Sequence, residues 1–239
     1  MYYIDRRVEV NDALMTPDGS CEASISAIVN YFQNCCSFQS EDLGIGVEYL
    51  AKIKKVWVLN NWQIEVDRFP KYAEKIRIYT NPYEIKGFMG FRNFFILDSK
   101  DQMIVKANSI WTYLSLENER PIKADSKMID AYVAEPRLEM EYAPRKIIVP
   151  EGGQDGKSIE ILPQHLDMNM HVNNSQYISM AYSCLPMDFR PYHMRAEYKS
   201  QVRLGQILTP YIVKADIDTY VIALRNKEDE IVTIVEFKA

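Results

Sequence analysis

Apolar residues between positions 21 and 36 recur at the spacing of one helical face. Ile25, Ile28, Val29, Phe32 and Cys36 fall at i, i+3, i+4, i+7 and i+11. The spacing predicts a helix over 21–36, capped by Asp18 or Ser20, with Gly44 and Gly46 beyond its end. The period then changes to two. Trp62, Ile64 and Val66 alternate with Gln63, Glu65 and Asp67, which predicts a half-buried strand over 57–67 that Pro70 stops. Further strands are predicted over 75–80, 87–98 and 103–116, separated by Asn81-Pro82 and Ser99-Lys100-Asp101 turns.

The order recurs further on. Tyr177, Ile178, Ala181, Cys184 and Leu185 share one face of a helix predicted over 172–185, ended by Pro186. Strands are predicted over 195–203, 207–215, 219–224 and 231–237. A helix-then-four-strands unit thus appears twice, offset by roughly 150 residues, as a repetition of pattern rather than of letters. Between the units, 132–156 holds Pro136, Pro144, Pro150, Gly152, Gly153 and Gly156, and reads as a linker with one short strand. A helix preceding an antiparallel meander buries its stripe on one sheet face. The fold class is therefore α+β, with two halves packed as an internal pseudo-dimer.

With 239 residues, 47% of them hydrophobic, the chain is long enough for one large or two small cores, and disorder is excluded for most of it. Lys and Arg number 28 against 33 acidic residues, a net charge of −5 that gives no reason to expect nucleic acid as a partner. Cys21, Cys35, Cys36 and Cys184 form no CxxC pair and read as reduced thiols of a cytoplasmic protein. The first residues resemble neither a signal nor a transit peptide, and no apolar run approaches membrane-span length. No metal-ligand spacing or phosphate loop is present, so no metal or cofactor is expected.

The candidate chemistry lies in Leu166-Asp167-Met168-Asn169-Met170-His171-Val172-Asn173-Asn174, just before the second helix. A helix start presents free backbone N–H groups and the positive end of the dipole, suited to polarising a carbonyl and holding an oxyanion. Asp167, Asn169 and His171 alternate. In an extended segment they project to one side, with Met168 and Met170 on the other.

This stretch, continuing into Tyr177-Ile178, resembles the signature of the acyl-ACP thioesterases, tandem hot dog proteins of plastids and bacteria. The resemblance extends to Asn30-Tyr31-Phe32-Gln33-Asn34, to Trp57-Val58 with 63–70, to 107–111, and to Glu197-Tyr198-Lys199. The first residues lack the transit-peptide character of plant members, so a bacterial-type member is expected. The resemblance implies two hot dog domains: an N-terminal one over 1–132 that measures the acyl chain, a linker over 133–156, and a catalytic one over 157–239. It implies hydrolysis of the thioester between a fatty acyl chain and acyl carrier protein in fatty acid synthesis, with water as nucleophile. The family's catalytic Asp, Asn and His fall on Asp167, Asn169 and His171. Homodimerisation is left open.

One position departs from the family. An acidic residue usually follows the strand matched by 197–199, and here Gln201 and Val202 stand there. Gln201 can orient a water but cannot take its proton. The base is then Asp167 or His171, with Glu197 as a stand-in. Two other functions stay open: hydrolysis of acyl-CoA, and acyl binding without hydrolysis. Asn173 and Asn174 are expected to cap the helix, Trp57, Trp62 and Trp111 to fill the core, and His165 and His193 to be structural or surface residues. The lysines 52, 54 and 55 form either a solvated face or a contact for the acidic carrier.

Overall fold

A computed structural model describes residues 1–16 and 18–239. The chain opens with β1 (Tyr2–Arg7) and a hairpin of β2 (Ala13–Met15) and β3 (Cys21–Ala23). Helix α1 (Ile25–Asp42) follows, then the short α2 (Val47–Lys52). Four long strands complete the first half: β4 (Lys55–Val66), β5 (Lys75–Lys86), β6 (Met89–Leu97) and β7 (Met103–Ser115), with a short α3 (Ser126–Ala131) after them. The second half has the short β8 (Gln154–Asp155) and β9 (Ile159–Glu160), α4 (Asn174–Tyr182), β10 (His193–Tyr198), β11 (Ile207–Asp216), β12 (Thr219–Arg225) and β13 (Ile231–Lys238).

Apart from the β2–β3 hairpin, which is a separate sheet, the strands form one antiparallel sheet in the order β1-β5-β6-β7-β4-β10-β13-β12-β11-β8, with β9 also on β11. The two halves join edge to edge where β4 meets β10, in a register that opposes Trp62 to Ala196 and Ile64 to Met194. Each half thus gives up one edge strand, which removes two exposed edges. Both long helices lie on the same sheet face. Phe32 of α1 sits between Trp62 and Phe94, at ring centroid distances of 5.9 and 5.1 Å, and all three are buried.

Helix α1 starts later than predicted. Its cap is Ser24, whose hydroxyl accepts the Ala27 N–H at 3.1 Å. Asp18 and Ser20 instead bond each other in the β2–β3 turn, where Ser20 N–H donates to Asp18 Oδ1 at 3.1 Å. The helix runs on to Asp42 and stops before Gly44, which takes φ +69°, a left-handed conformation that suits glycine. Strand β10 ends before the predicted position 203. Past Tyr198, the N–H groups of Lys199 and Ser200 both turn to Val232 O, at 2.8 and 3.3 Å, and the chain leaves the ladder.

Residues 133–150 carry no regular structure and run as a strap across the outer sheet face, away from the helices. Polar side chains on that face hold the strap. Asn61 Nδ2 donates to Arg145 O at 2.8 Å, Gln63 Nε2 to Glu141 O at 2.7 Å, and Leu138 N–H to Asn93 Oδ1 at 3.1 Å. This satisfies Asn61 and Asn93, which would otherwise be costly in a sheet interior.

Candidate active site

Segment 166–174 closes on itself. Leu166 bridges Val172 in antiparallel sense, Asp167 N–H donates to His171 O at 2.8 Å, and Met170 N–H donates to Asp167 O at 3.0 Å. The extended geometry expected for Asp167, Asn169 and His171 is therefore replaced by a tight turn. Asp167 itself is the cause. Its Oδ1 accepts the N–H groups of Asn169 at 2.8 Å and His171 at 3.3 Å, local bonds that compete with an extended backbone. Among the described residues, no hydrogen bond runs from side chain to side chain between any two of the three; Asp167 reaches the other two only through their backbone N–H groups. What the fold brings together is a loop held by Asp167, with Asn169 exposed on it and His171 half-buried.

Most backbone donors at the start of α4 are already taken. Val172 N–H donates to Val202 O at 3.0 Å, and Asn173 N–H to His165 O at 2.9 Å. Asn173 caps the helix by accepting Ser175 N–H at 3.0 Å, and its carbonyl accepts Gln176 N–H at 2.8 Å. The expected oxyanion role of these amides is thus reduced, and the Asn169 side-chain amide, which has no partner among the described residues, is a free donor of the loop. Two tyrosines brace the same junction. Val202 N–H donates to Tyr177 Oη at 3.1 Å, and Tyr198 Oη donates to Asn174 O at 3.0 Å. Burial raises both phenols above their ordinary range, so both stay neutral struts.

A cavity of about 310 Å³ opens beside the loop. Met168 and Asn169 form one part of its wall, and every other lining residue belongs to the first half. Most of the remaining wall comes from the C-terminal half of α1, from α2 through Val47, Leu50 and Ala51, and from residues of β4 to β7. Trp57 and Trp111, expected as core, line this cavity, while Trp62 is buried as expected. Gly90 lies against Trp57, where a Cβ would come within 3.0 Å of the indole. Arg92 also lines the cavity and is only 7% exposed. Sequence reading passed over it, although it occupies an inward position of β6 between Gly90 and Phe94.

The two halves meet at the loop through Gln33 of α1. Its Nε2 donates to Asn173 Oδ1 at 3.3 Å, and its Oε1 accepts from Asn174 Nδ2 at 2.8 Å. Gln201 is exposed, one residue before the Val202 carbonyl that holds Val172. Glu197 points the other way, toward the strap, where its Oε2 accepts Ile147 N–H at 2.9 Å. It is therefore removed as a stand-in base.

The family model for the acyl-ACP thioesterase N-terminal domain matches residues 8–132, and that for the C-terminal domain matches residues 157–235. The chain belongs to the acyl-ACP thioesterase family. It is 25% identical over 203 residues to a chloroplastic acyl-[acyl-carrier-protein] hydrolase of Cuphea viscosissima, covering 78% of this chain and 49% of that one. It is 26% identical over 184 residues to a chloroplastic oleoyl-acyl carrier protein thioesterase of Coriandrum sativum, covering 70% and 50%. The chain therefore spans about half the length of the curated relatives it matches. The solved structure of an acyl-ACP thioesterase from Bacteroides thetaiotaomicron superposes with a TM-score of 0.89 at 20% identity, covering 99% of this chain and 96% of that one. A 12:0-ACP thioesterase from Umbellularia californica gives 0.82 at 15%, with 99% and 96% covered. These likenesses establish the tandem hot dog fold.

Within this acyl-ACP thioesterase fold, the remaining candidates have structural partners. Lys54 pairs with Glu117 and Lys55 with Asp125, both at 3.0 Å, so two of the three clustered lysines are engaged within the chain. His165 Nδ1 accepts Leu162 N–H at 3.0 Å, a structural role. Among the described residues no His, Cys, Asp and Glu group could hold a metal ion, and no helix is long and apolar enough to cross a membrane.

Proposed function

We propose that this chain hydrolyses the thioester of fatty acyl-ACP, releasing free fatty acid and carrier protein in fatty acid synthesis. The observation that carries the reading is a largely first-half cavity whose wall is completed by Asn169 of the signature loop. The first half, 1–132, takes the acyl chain. The second, 157–239, supplies the reacting groups, and 133–156 straps the two. The four free thiols fit a reducing compartment such as the cytoplasm.

Asn169 Nδ2 donates to the thioester carbonyl oxygen and to the oxyanion that forms when water attacks. His171 takes the proton of the attacking water and returns it to the departing thiolate. Asp167 holds the loop, since its Oδ1 is occupied by two backbone N–H groups. Gln201 orients the water, as a neutral amide that accepts and donates without titrating. No cofactor enters this chemistry.

Thiol release from acyl carriers of graded chain length, run beside the matching acyl-CoA series, tests the reading. Turnover of the carrier series with an optimum at one length supports it. Faster turnover of every acyl-CoA moves the substrate to coenzyme A. Tight acyl binding without thiol release replaces the enzyme with a binding protein.

A further inference from the structure

We propose that the cavity selects acyl chains bearing an oxygen function along their length, and that Arg92 is the residue that recognises it. The inference rests on the acyl-binding role proposed above. Arg92 lies on the inner face of β6, opposite Pro82 of β5 and Ser109 of β7, with Gly90 and Phe94 on either side of it along its own strand, and the cavity it lines is mixed, with Trp57, Trp111 and Leu50 beside Ser40 and Glu41. Among the described residues it has no carboxylate partner within ion-pair distance. A buried guanidinium without a counter-charge is costly unless its donors are satisfied.

The protein satisfies only part of it. Nη1 donates to Thr80 Oγ1 at 2.9 Å and to Gln39 Oε1, and the Tyr132 ring lies 4.9 Å from Cζ. Both bonds leave from that one nitrogen. Nε and Nη2 have no acceptor among the described residues, and both keep some accessible surface in a residue that lines the cavity. Three N–H groups of a cation thus remain for whatever fills the space. A plain methylene chain would strip water from them and return nothing. A hydroxyl, oxo or carboxylate oxygen would accept from one or two of them in a charge-assisted bond.

The sheet order sets where the contact falls. The signature loop bonds to Val202, on the side of β10, whereas β6 lies two ladder steps beyond β4, roughly 10 Å further across the sheet. An acyl chain held by its thioester at Asn169 and running along the shared cavity toward β6 would bring a position along its length to Arg92.

The test uses pantetheine amides, which cannot be hydrolysed. A plain dodecanoyl amide is titrated calorimetrically against isomers carrying one hydroxyl at successive carbons, and against the ω-carboxyl form. At least one oxygen-bearing amide should bind at least about ten-fold tighter than the plain one, the scale of a hydrogen bond to a charged group. Arg92→Met should abolish that ratio, and Arg92→Lys should retain part of it. If Arg92→Met does not fold, the wild-type ratio and Arg92→Lys decide. Equal or weaker binding of every oxygen-bearing amide overturns the proposal, as does a preference that survives Arg92→Met or, where that variant does not fold, one that Arg92→Lys leaves undiminished. Thiol release is scored separately. Its absence with the preference intact refutes hydrolysis and leaves Arg92 its role, and its presence with no preference does the reverse.

Discussion

Gln33→Leu removes the amide that joins α1 to the start of α4 while keeping the side chain's approximate volume. Two hydrogen bonds go: the 2.8 Å bond from Asn174 Nδ2 and the 3.3 Å bond to Asn173 Oδ1. A net bond is worth about 0.5–1.5 kcal/mol, the longer one at the low end, so the variant should lose about 1.5 kcal/mol of stability. The loss is localised at the junction that carries the signature loop, so kcat should fall more than KM rises. A double-mutant cycle of Gln33→Leu with Asn174→Leu, read by urea unfolding, isolates the shorter bond and should return a coupling of about 1 kcal/mol. Asn173 is unsuited to the cycle because it also caps α4. Strict additivity of the two single variants, with kcat unchanged in Gln33→Leu, would refute the coupling of the halves through this pair.

Filling the cavity from α2 with Ala51→Trp should shift the chain-length optimum of thiol release to shorter acyl groups with the fold intact, since Ala51 is exposed at the cavity wall. An unchanged profile would place the chain elsewhere. With a thiol reagent in the native state only Cys21 should react quickly, because burial pushes the Cys35 thiol up to about 12 and also raises Cys36 and Cys184. Rapid titration of more than one thiol contradicts this. The Glu74 carboxyl is lowered first by its hydrogen bond from Arg68, and the Asp98 carboxyl first by the Gln102 N–H and then by other donors including Arg68. A lowered folded value stabilises above the unfolded carboxylate range, about 4, and that stability is lost as pH falls through the folded value. Arg68→Met should therefore flatten the acid limb of a stability-against-pH curve, and an unchanged limb would refute it.

The long elements were legible because each buries one face. Strands 207–215, 219–224 and 231–237 match β11 to β13 within one residue at each end, because β12 and β13 are apolar runs covered by α4 on one face and by Ile147 of the strap on the other. Ser24 was missed as the α1 cap because Ser20, Asp18 and Ser24 are chemically equivalent on paper, and only the β2–β3 hairpin shows which of them is used in a turn. The signature loop could be located but not shaped. Alternation of Asp167, Asn169 and His171 suits a strand, yet the Asp167 carboxylate captures two nearby N–H groups and makes a turn. Gln33 and Arg92 depend on partners 140 and 53 residues away, at Asn173 and Gln39, and no local pattern carries such distances. Arg92 did leave one trace: a cation at an inward position of an otherwise apolar strand face.

The most direct measurement is the rate of free-thiol release from a saturating acyl carrier by the wild-type chain and by Asn169→Ala. Asn169 sits on an exposed loop at the cavity wall, so its truncation leaves the core intact. Loss of one oxyanion donor should lower kcat by about 10²–10³, with the thermal midpoint unchanged. An Asn169→Ala chain that releases thiol at the wild-type rate would contradict the placing of the reaction at this loop.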